Sequence, residues 1–281
     1  MDVYGVVGDP VDHSRSPTLF AAAFEAAGDR AVYGAFHVAP GALPTAIRGA
    51  EALGVAGLNV TAPHKETVLD LVSATPTAAA IGAVNHVTFA AEGPVGHNTD
   101  AEAMRRILEA VAPEPGRALV LGAGGAARAY VYALTEAGWT VTIANRTIER
   151  AERLASAFAA ATARPLDAAA DELASVSAVV NATPVGQGDP TARPVATDGL
   201  GPSHLVVDAV YRPPWTRLLR EASAAGADVV PGSRLLLEQA AAGYARWRGR
   251  SAPVSAMRVA LDASLRPRRP FKGPPGEGPA Q

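Results

Sequence analysis

Residues 119–127 constrain the fold more than any other stretch of the chain. The apolar run Leu119-Val120-Leu121 leads directly into Gly122-Ala123-Gly124-Gly125-Ala126-Ala127, and a helical pattern continues over Ala126–Ala137. This is G-x-G-x-x-A between a strand and a helix, the setting in which the pattern marks a dinucleotide-binding α/β fold. The first glycine permits a tight turn, the second lets the backbone approach a pyrophosphate, and the small Ala127 allows close helix–strand packing. Exposed N–H groups at the helix start then face the phosphates. A plain strand–helix turn uses the same residues, so the flanking strand and helix carry the reading.

The same grammar runs through the rest of the chain. Val3–Val7, Val32–Val38, Gly57–Val60 and Val84–Ala90 read as strands, and Pro17–Ala27 and Ala42–Leu53 as helices with apolar residues three and four apart. Ala101–Val111 reads as a further helix, with Asp100 suited to its N-cap. After the break at Pro113-Glu114-Pro115-Gly116, strands follow at Arg117–Leu121, Thr140–Ala144, Ala178–Ala182, Leu205–Ala209 and Asp228–Val230. Alternating strands and helices imply crossover units and mostly parallel sheets. The expected fold class is therefore α/β: a mostly parallel N-terminal unit followed by a C-terminal Rossmann unit. The expected boundaries are 1–100 and 101–235, with the helical segment 236–264 packing back on the first domain. Residues 265–281, rich in Pro, Gly and basic groups, are expected to be a disordered tail.

Composition removes several function classes. The 281 residues include no cysteine, so disulfides, thiolate catalysis and Cys-bound zinc are excluded. Six histidines show no metal-ligand spacing, and no metal is expected. A net charge of −2 and 5% aromatic residues argue against a nucleic-acid binder. No apolar run reaches about 18 residues and no signal peptide is visible, so a cytoplasmic location is expected.

The end of the strand after the glycine loop selects the dinucleotide. An NAD site usually carries Asp or Glu there for the ribose hydroxyls. This chain has Asn145-Arg146-Thr147, with Arg150 one turn later. A guanidinium grips a 2′-phosphate that a carboxylate would repel, so NADP is the expected cofactor. Ordinary solvated charges at a helix start remain the alternative.

Three polar clusters interrupt the first hundred residues. His13-Ser14-Arg15-Ser16-Pro17 offers two hydroxyls ahead of a helix; it suits a carboxylate, or simply an N-cap at Ser16. Asn59-Val60-Thr61-Ala62-Pro63-His64-Lys65 gathers polar groups at a strand's C-terminal end, where open α/β sheets bind ligands. Lys65 is a candidate proton donor there, or a surface lysine. Gly82-Ala83-Val84-Asn85 and Asn98-Thr99-Asp100 complete the set, with Asp100 open to a capping role.

Together these blocks resemble the successive signatures of shikimate dehydrogenases. The second half agrees through Gly122–Arg128, Asn145-Arg146-Thr147, Asn181-Ala182-Thr183-Pro184, and Asp208 followed by Tyr211-Arg212-Pro213. The resemblance implies a mostly parallel N-terminal α/β substrate domain, a C-terminal Rossmann NADP-binding domain and an active site in the cleft between them. With these it implies reversible, NADP-dependent reduction of 3-dehydroshikimate to shikimate, on the chorismate route to the aromatic amino acids. It implies Lys65 and Asp100 as the catalytic pair and Ser14 and Ser16 on the substrate carboxylate, with Tyr211 nearby. Asn59, Thr61, Asn85, Asp100 and Gln239 would bind ring hydroxyls or position the catalytic groups. Gly122, Ala123, Gly124, Gly125, Ala126, Asn145, Arg146, Thr147 and Arg150 would hold the cofactor, with Ala209 and Gly232 on the nicotinamide side. The only partner implied is the small-molecule substrate; a monomer or homodimer is expected.

The chain departs from the family's pattern at Ala21, Ala101, Ala103, His86 and Leu235-Leu236-Leu237. None of these removes a catalytic group, but His86 places a titratable ring beside Asn85. Two rival readings follow: a quinate or aminoshikimate dehydrogenase of the same family, and a non-catalytic NADP-binding sensor.

Overall fold

A computed structural model describes residues 1–111 and 114–266. The anticipated tail, apart from Leu265 and Arg266, lies outside the described residues, as does Pro113 of the expected break. Two six-stranded sheets organise the chain.

The first sheet contains β1 (Asp2–Gly8), β2 (Ala31–His37), β3 (Gly57–Val60), β4 (Ser73–Ala74), β5 (His86–Ala90) and β6 (Gly93–His97), in the order β2-β1-β3-β5-β6-β4. The second contains β7 (Arg117–Leu121), β8 (Thr140–Asn145), β9 (Ala161–Pro165), β10 (Ala178–Asn181), β11 (Leu205–Asp208) and β12 (Asp228–Val230), in the order β12-β11-β10-β7-β8-β9. Every pairing in the second sheet is parallel. The order in which successive strands are added reverses between β7 and β10, the switch point at which doubly wound sheets take nucleotides.

The helices are α1 (Ser16–Ala27), α2 (Leu43–Ala52), α3 (Pro76–Ile81), α4 (Thr99–Val111), α5 (Gly125–Glu136), α6 (Ile148–Ala155), α7 (Ala169–Glu172), α8 (Arg217–Ala224), α9 (Gly232–Arg248) and α10 (Val254–Leu265). Buried residues on both faces of the central strands explain their continuous apolar runs: Leu119 and Leu121 face one core, Ala118 and Val120 the other. After the second sheet closes, α9 and α10 return to the first. Leu237, Ala240, Tyr244, Met257 and Leu261 share a core with Tyr4, Leu19, Phe20 and Phe24. Trp247 sits in the same cluster and donates its indole N–H to the Val87 carbonyl.

The first sheet is less parallel than its sequence pattern suggests. β1 pairs in parallel with β2 and β3, but β3–β5 and β5–β6 are antiparallel. The expected strand Val84–Ala90 begins at His86, because Val84 and Asn85 belong to the turn that receives β3's neighbouring loop: the Val84 N–H donates to the Lys65 carbonyl at 2.8 Å. β6 was hidden by composition. Its sequence Gly93-Pro94-Val95-Gly96-His97 is poor in strand formers, and pairing with β5 and β4 overrides that.

Candidate active site

The turn after β3 delivers Lys65. Three bonds hold it: Thr61 N–H to the Val7 carbonyl, the His64 ring to the Val38 carbonyl at 2.6 Å, and the Lys65 carbonyl to Val84 N–H. Across from it, α4 begins. Asn98, not Asp100, caps this helix: its Oδ1 accepts the Ala101 N–H at 3.0 Å. The expected cap at Asp100 is thereby corrected. Both residue types cap equally well, and the one reaching the right N–H is set by where the chain enters from β6. Asp100 is left free in the first turn, and its Oδ2 lies 2.5 Å from Lys65 Nζ. The side chains are only 15% and 9% exposed, so this is a shielded ion pair and not a surface contact.

Asn85 fastens this arrangement. Its Oδ1 accepts the Thr99 N–H at 2.7 Å and its Nδ2 donates to Thr99 Oγ1 at 3.0 Å, locking the 82–85 turn to the start of α4. Asn59 is oriented from three sides. Tyr33 donates to its Oδ1 at 2.7 Å, while its Nδ2 points to the Asn85 carbonyl and to His86 Nδ1. Burial holds His86 well below the usual imidazole range, so the ring is neutral. Nor does Ser16 cap α1. The hydroxyl of Ser14 accepts the Ser16 N–H at 3.3 Å, and no side-chain cap is formed.

These groups surround one cavity of about 180 Å³. Ser14, Ser16, Asn59, Thr61, Lys65, Asn85, Asp100, Tyr211 and Gln239 all line it. Ala126, Ala209 and Gly232 reach it from the other sheet's side. Tyr211 also bridges the two halves, its hydroxyl donating to the His13 carbonyl at 3.4 Å.

The second half fits a dinucleotide. Gly122 has φ +108°, a conformation side chains disfavour, and a Cβ there would meet the Ala182 carbonyl at 3.2 Å. Gly124 faces open space, and α5 begins beyond it with no side-chain cap, so its first N–H groups are free for an anion. Gly125 packs so closely on Lys65 that a Cβ would lie 2.7 Å from the lysine's Cβ. The glycine loop and the ion pair therefore form one continuous surface. Ala123 follows β7 in the same turn.

At the end of β8, Asn145 Nδ2 donates to the Thr147 carbonyl at 2.8 Å and shapes the turn. Arg146 borders a separate cavity of about 610 Å³ with Leu166, Val195 and Arg193. No carboxylate engages Arg146 among the described residues, so its guanidinium is available. Arg150 differs: it lies 3.6 Å from Glu66, which Arg128 also approaches at 3.3 Å. These two arginines link the halves through Glu66, and Arg150 is not part of the Arg146 cavity.

Sequence reasoning missed Arg193, whose position in a Pro-rich loop carries no motif. Glu221 anchors it, accepting from Arg193, Arg217 and Thr197 at 2.8, 2.6 and 2.5 Å. Those bonds hold the Glu221 carboxyl at about 2, below its ordinary 4.5. A depressed carboxyl stabilises the fold above its unfolded value and loses that contribution as pH falls through the folded one. Urea titrations should therefore show wild-type stability falling between pH 4.5 and about 2 more steeply than in Glu221→Gln. Parallel curves would exclude the anchor.

A second network sets the loops after β10 and β11. Asp208, fully buried, accepts from Asn181 at 2.8 Å, Thr216 at 2.6 Å and Val210 N–H at 3.0 Å. It places Ala209 and Tyr211 at the cavity.

A substrate-sized polar cavity with a lysine–carboxylate pair, abutting a Rossmann glycine loop, defines a two-domain dinucleotide-dependent oxidoreductase. Residues 6–87 match the family model of the shikimate dehydrogenase substrate binding domain, and residues 104–187 that of shikimate / quinate 5-dehydrogenase. The shikimate dehydrogenase (NADP(+)) of Halobacterium salinarum is 48% identical over 94% of this chain and all of its own. A Thermus thermophilus shikimate 5-dehydrogenase, solved with NADP(H) and shikimate, superposes with TM-score 0.87 at 40% identity, covering 94% of this chain and 100% of that one. A quinate dehydrogenase from Corynebacterium glutamicum in complex with NAD gives 0.86 at 31%, covering 93% and 99%. The chain belongs to the shikimate dehydrogenase family.

Proposed function

We propose that this chain reversibly reduces 3-dehydroshikimate to shikimate with NADPH, and that Lys65 and Asp100 carry the proton chemistry. The observation that carries this is the shielded 2.5 Å Lys65–Asp100 pair inside a cavity lined by residues of both halves.

NADPH supplies the hydride when bound. Negative charge then develops on the substrate's carbonyl oxygen, and the Lys65 ammonium stabilises it and donates the proton. In the reverse direction the same nitrogen receives it. Asp100 holds the ammonium in place and accepts a hydrogen bond from a substrate hydroxyl. Ser14, Ser16 and Tyr211 hold the carboxylate. Asn59, Thr61 and Gln239 meet ring hydroxyls, while Asn85 positions Asp100 through Thr99. Closure of so small a cavity around the ring fixes the reacting atoms and excludes water.

Gly122, Ala123, Gly124, Gly125 and Ala126 cradle the pyrophosphate, and Ala209 and Gly232 border the nicotinamide. Asn145 and Thr147 shape the ribose turn, Arg146 takes the 2′-phosphate, and Arg150 flanks it from the Glu66 side. We read residues 1–100 with 236–264 as the substrate-binding half, residues 101–235 as the NADP half, and the enzyme as a cytoplasmic monomer or homodimer. Among the described residues no helix is long and apolar enough to cross a membrane.

The test is spectrophotometric. Shikimate with NADP⁺ should generate NADPH absorbance faster than quinate or aminoshikimate does. Preference for quinate would reassign the substrate, and NADP binding without turnover of any of the three would make the protein a sensor.

A further inference from the structure

Tyr130 stands at the substrate cavity and has no place in the scheme above. It lies on α5, one turn beyond Ala126, and both residues line the cavity from the dinucleotide half. It is only 5% exposed. The rest of its ring is packed in the core shared by α4, α5 and β7. Its hydroxyl forms no hydrogen bond among the described residues, whereas Tyr211 and Gln239, polar side chains that also line the cavity, are both engaged. Asp100 and Asp208 both lie close enough to disfavour its ionisation, and burial pushes the phenol well above its ordinary value, so it stays a donor.

The hydroxyl is not sealed in the core, since the buried polar atoms without a partner among the described residues are Arg15 Nε and His86 Nε2; it opens onto the cavity, where its donor is free for an acceptor bound there. The position of that acceptor is bounded. It lies in the 180 Å³ cavity that Tyr130 and Asp100 both line. A substrate hydroxyl donating to the Asp100 carboxylate has lone pairs left over. A phenol that lines the same cavity from α5 is placed to meet them.

We propose that Tyr130 donates a hydrogen bond to the substrate ring hydroxyl beside the reacting carbon, the oxygen whose proton Asp100 accepts. The inference rests on the shikimate dehydrogenase reading. It gives this protein a two-sided test for a hydroxyl. Asp100 requires a donor at that position and Tyr130 requires an acceptor, so hydrogen, a methyl group or an ammonium is rejected by one side or the other. It also makes the dinucleotide half part of the substrate site: the helix that starts at the pyrophosphate loop carries the residue that reads the sugar-like ring.

The test is a cycle between one enzyme oxygen and one substrate oxygen. Tyr130→Phe removes only the hydroxyl and keeps the ring in the core. With shikimate, KM should rise roughly tenfold, the range expected for one neutral hydrogen bond, while KM for NADP⁺ stays within twofold. With 4-deoxyshikimate, which lacks the proposed acceptor, wild type and Tyr130→Phe should be equal. Thermal denaturation of both proteins checks that packing is preserved. An unchanged KM for shikimate, or an equal loss with both substrates, overturns the proposal. If wild type fails to oxidise shikimate at all, the reading of the site fails instead, and the two failures are distinct.

Discussion

Replacing Lys65 by Ala should lower kcat by about 10²–10⁴-fold while KM for shikimate moves only a few-fold. The asymmetry follows from where the ammonium acts. Its stabilisation grows as charge appears on the carbonyl oxygen, so its loss is felt in the transition state more than in the bound ground state. One complication is built into the site. Asp100 is 9% exposed on its side chain, and removing its partner leaves a shielded carboxylate unmatched. Part of any loss in Lys65→Ala would then be structural. Lys65→Gln separates the two effects, because it keeps a donor for Asp100 but transfers no proton. Steady-state kinetics of both variants, with melting temperatures alongside, decide the matter. Near-normal turnover in either one removes Lys65 from the chemistry.

Replacing Arg146 by Ala should weaken NADPH by roughly 10–100-fold and NADH by less than threefold, the scale of a charge-assisted hydrogen bond. The geometry makes the two strand-end arginines unequal. Arg146 borders the 610 Å³ cavity beyond β8, whereas Arg150 lies toward Glu66 at 3.6 Å. Arg150→Ala should accordingly have the smaller effect on NADPH. Fluorescence titration with both cofactors measures each constant directly. Equal weakening of NADPH and NADH by Arg146→Ala would remove the 2′-phosphate contact.

The two expectations draw on different kinds of information. The glycine loop is legible because its chemistry is local: a positive φ at Gly122, a free N–H row at α5 and an apolar strand before it are each encoded within nine residues. The central strands of the second sheet are legible for a related reason. Buried on both faces, they read as continuous apolar runs, and Arg117–Leu121 falls at its expected limits, whereas the largely exposed edge strand Ala161–Pro165 carries no such run and was not anticipated. The first sheet's antiparallel centre was not legible either, since the short, Gly- and Pro-bearing β6 owes its strand character to its neighbours.

What the sequence alone determined, then, is the α/β grammar, the nucleotide turn and the identity of the polar residues that line the cavity. What only the tertiary structure decided is their division of labour. Asn98 and Asp100 are equal as capping residues, and the entry angle from β6 assigns the cap to one and frees the other for Lys65, 35 residues away. Arg146 and Arg150 are equal as charges, and Glu66 draws one aside. Tyr130 has the spacing of any core aromatic, and only the cavity beside it leaves its hydroxyl unmatched. Propensity and pattern act over a few residues of chain, whereas hydrogen-bond partners are chosen by distances across space, which only the assembled fold supplies.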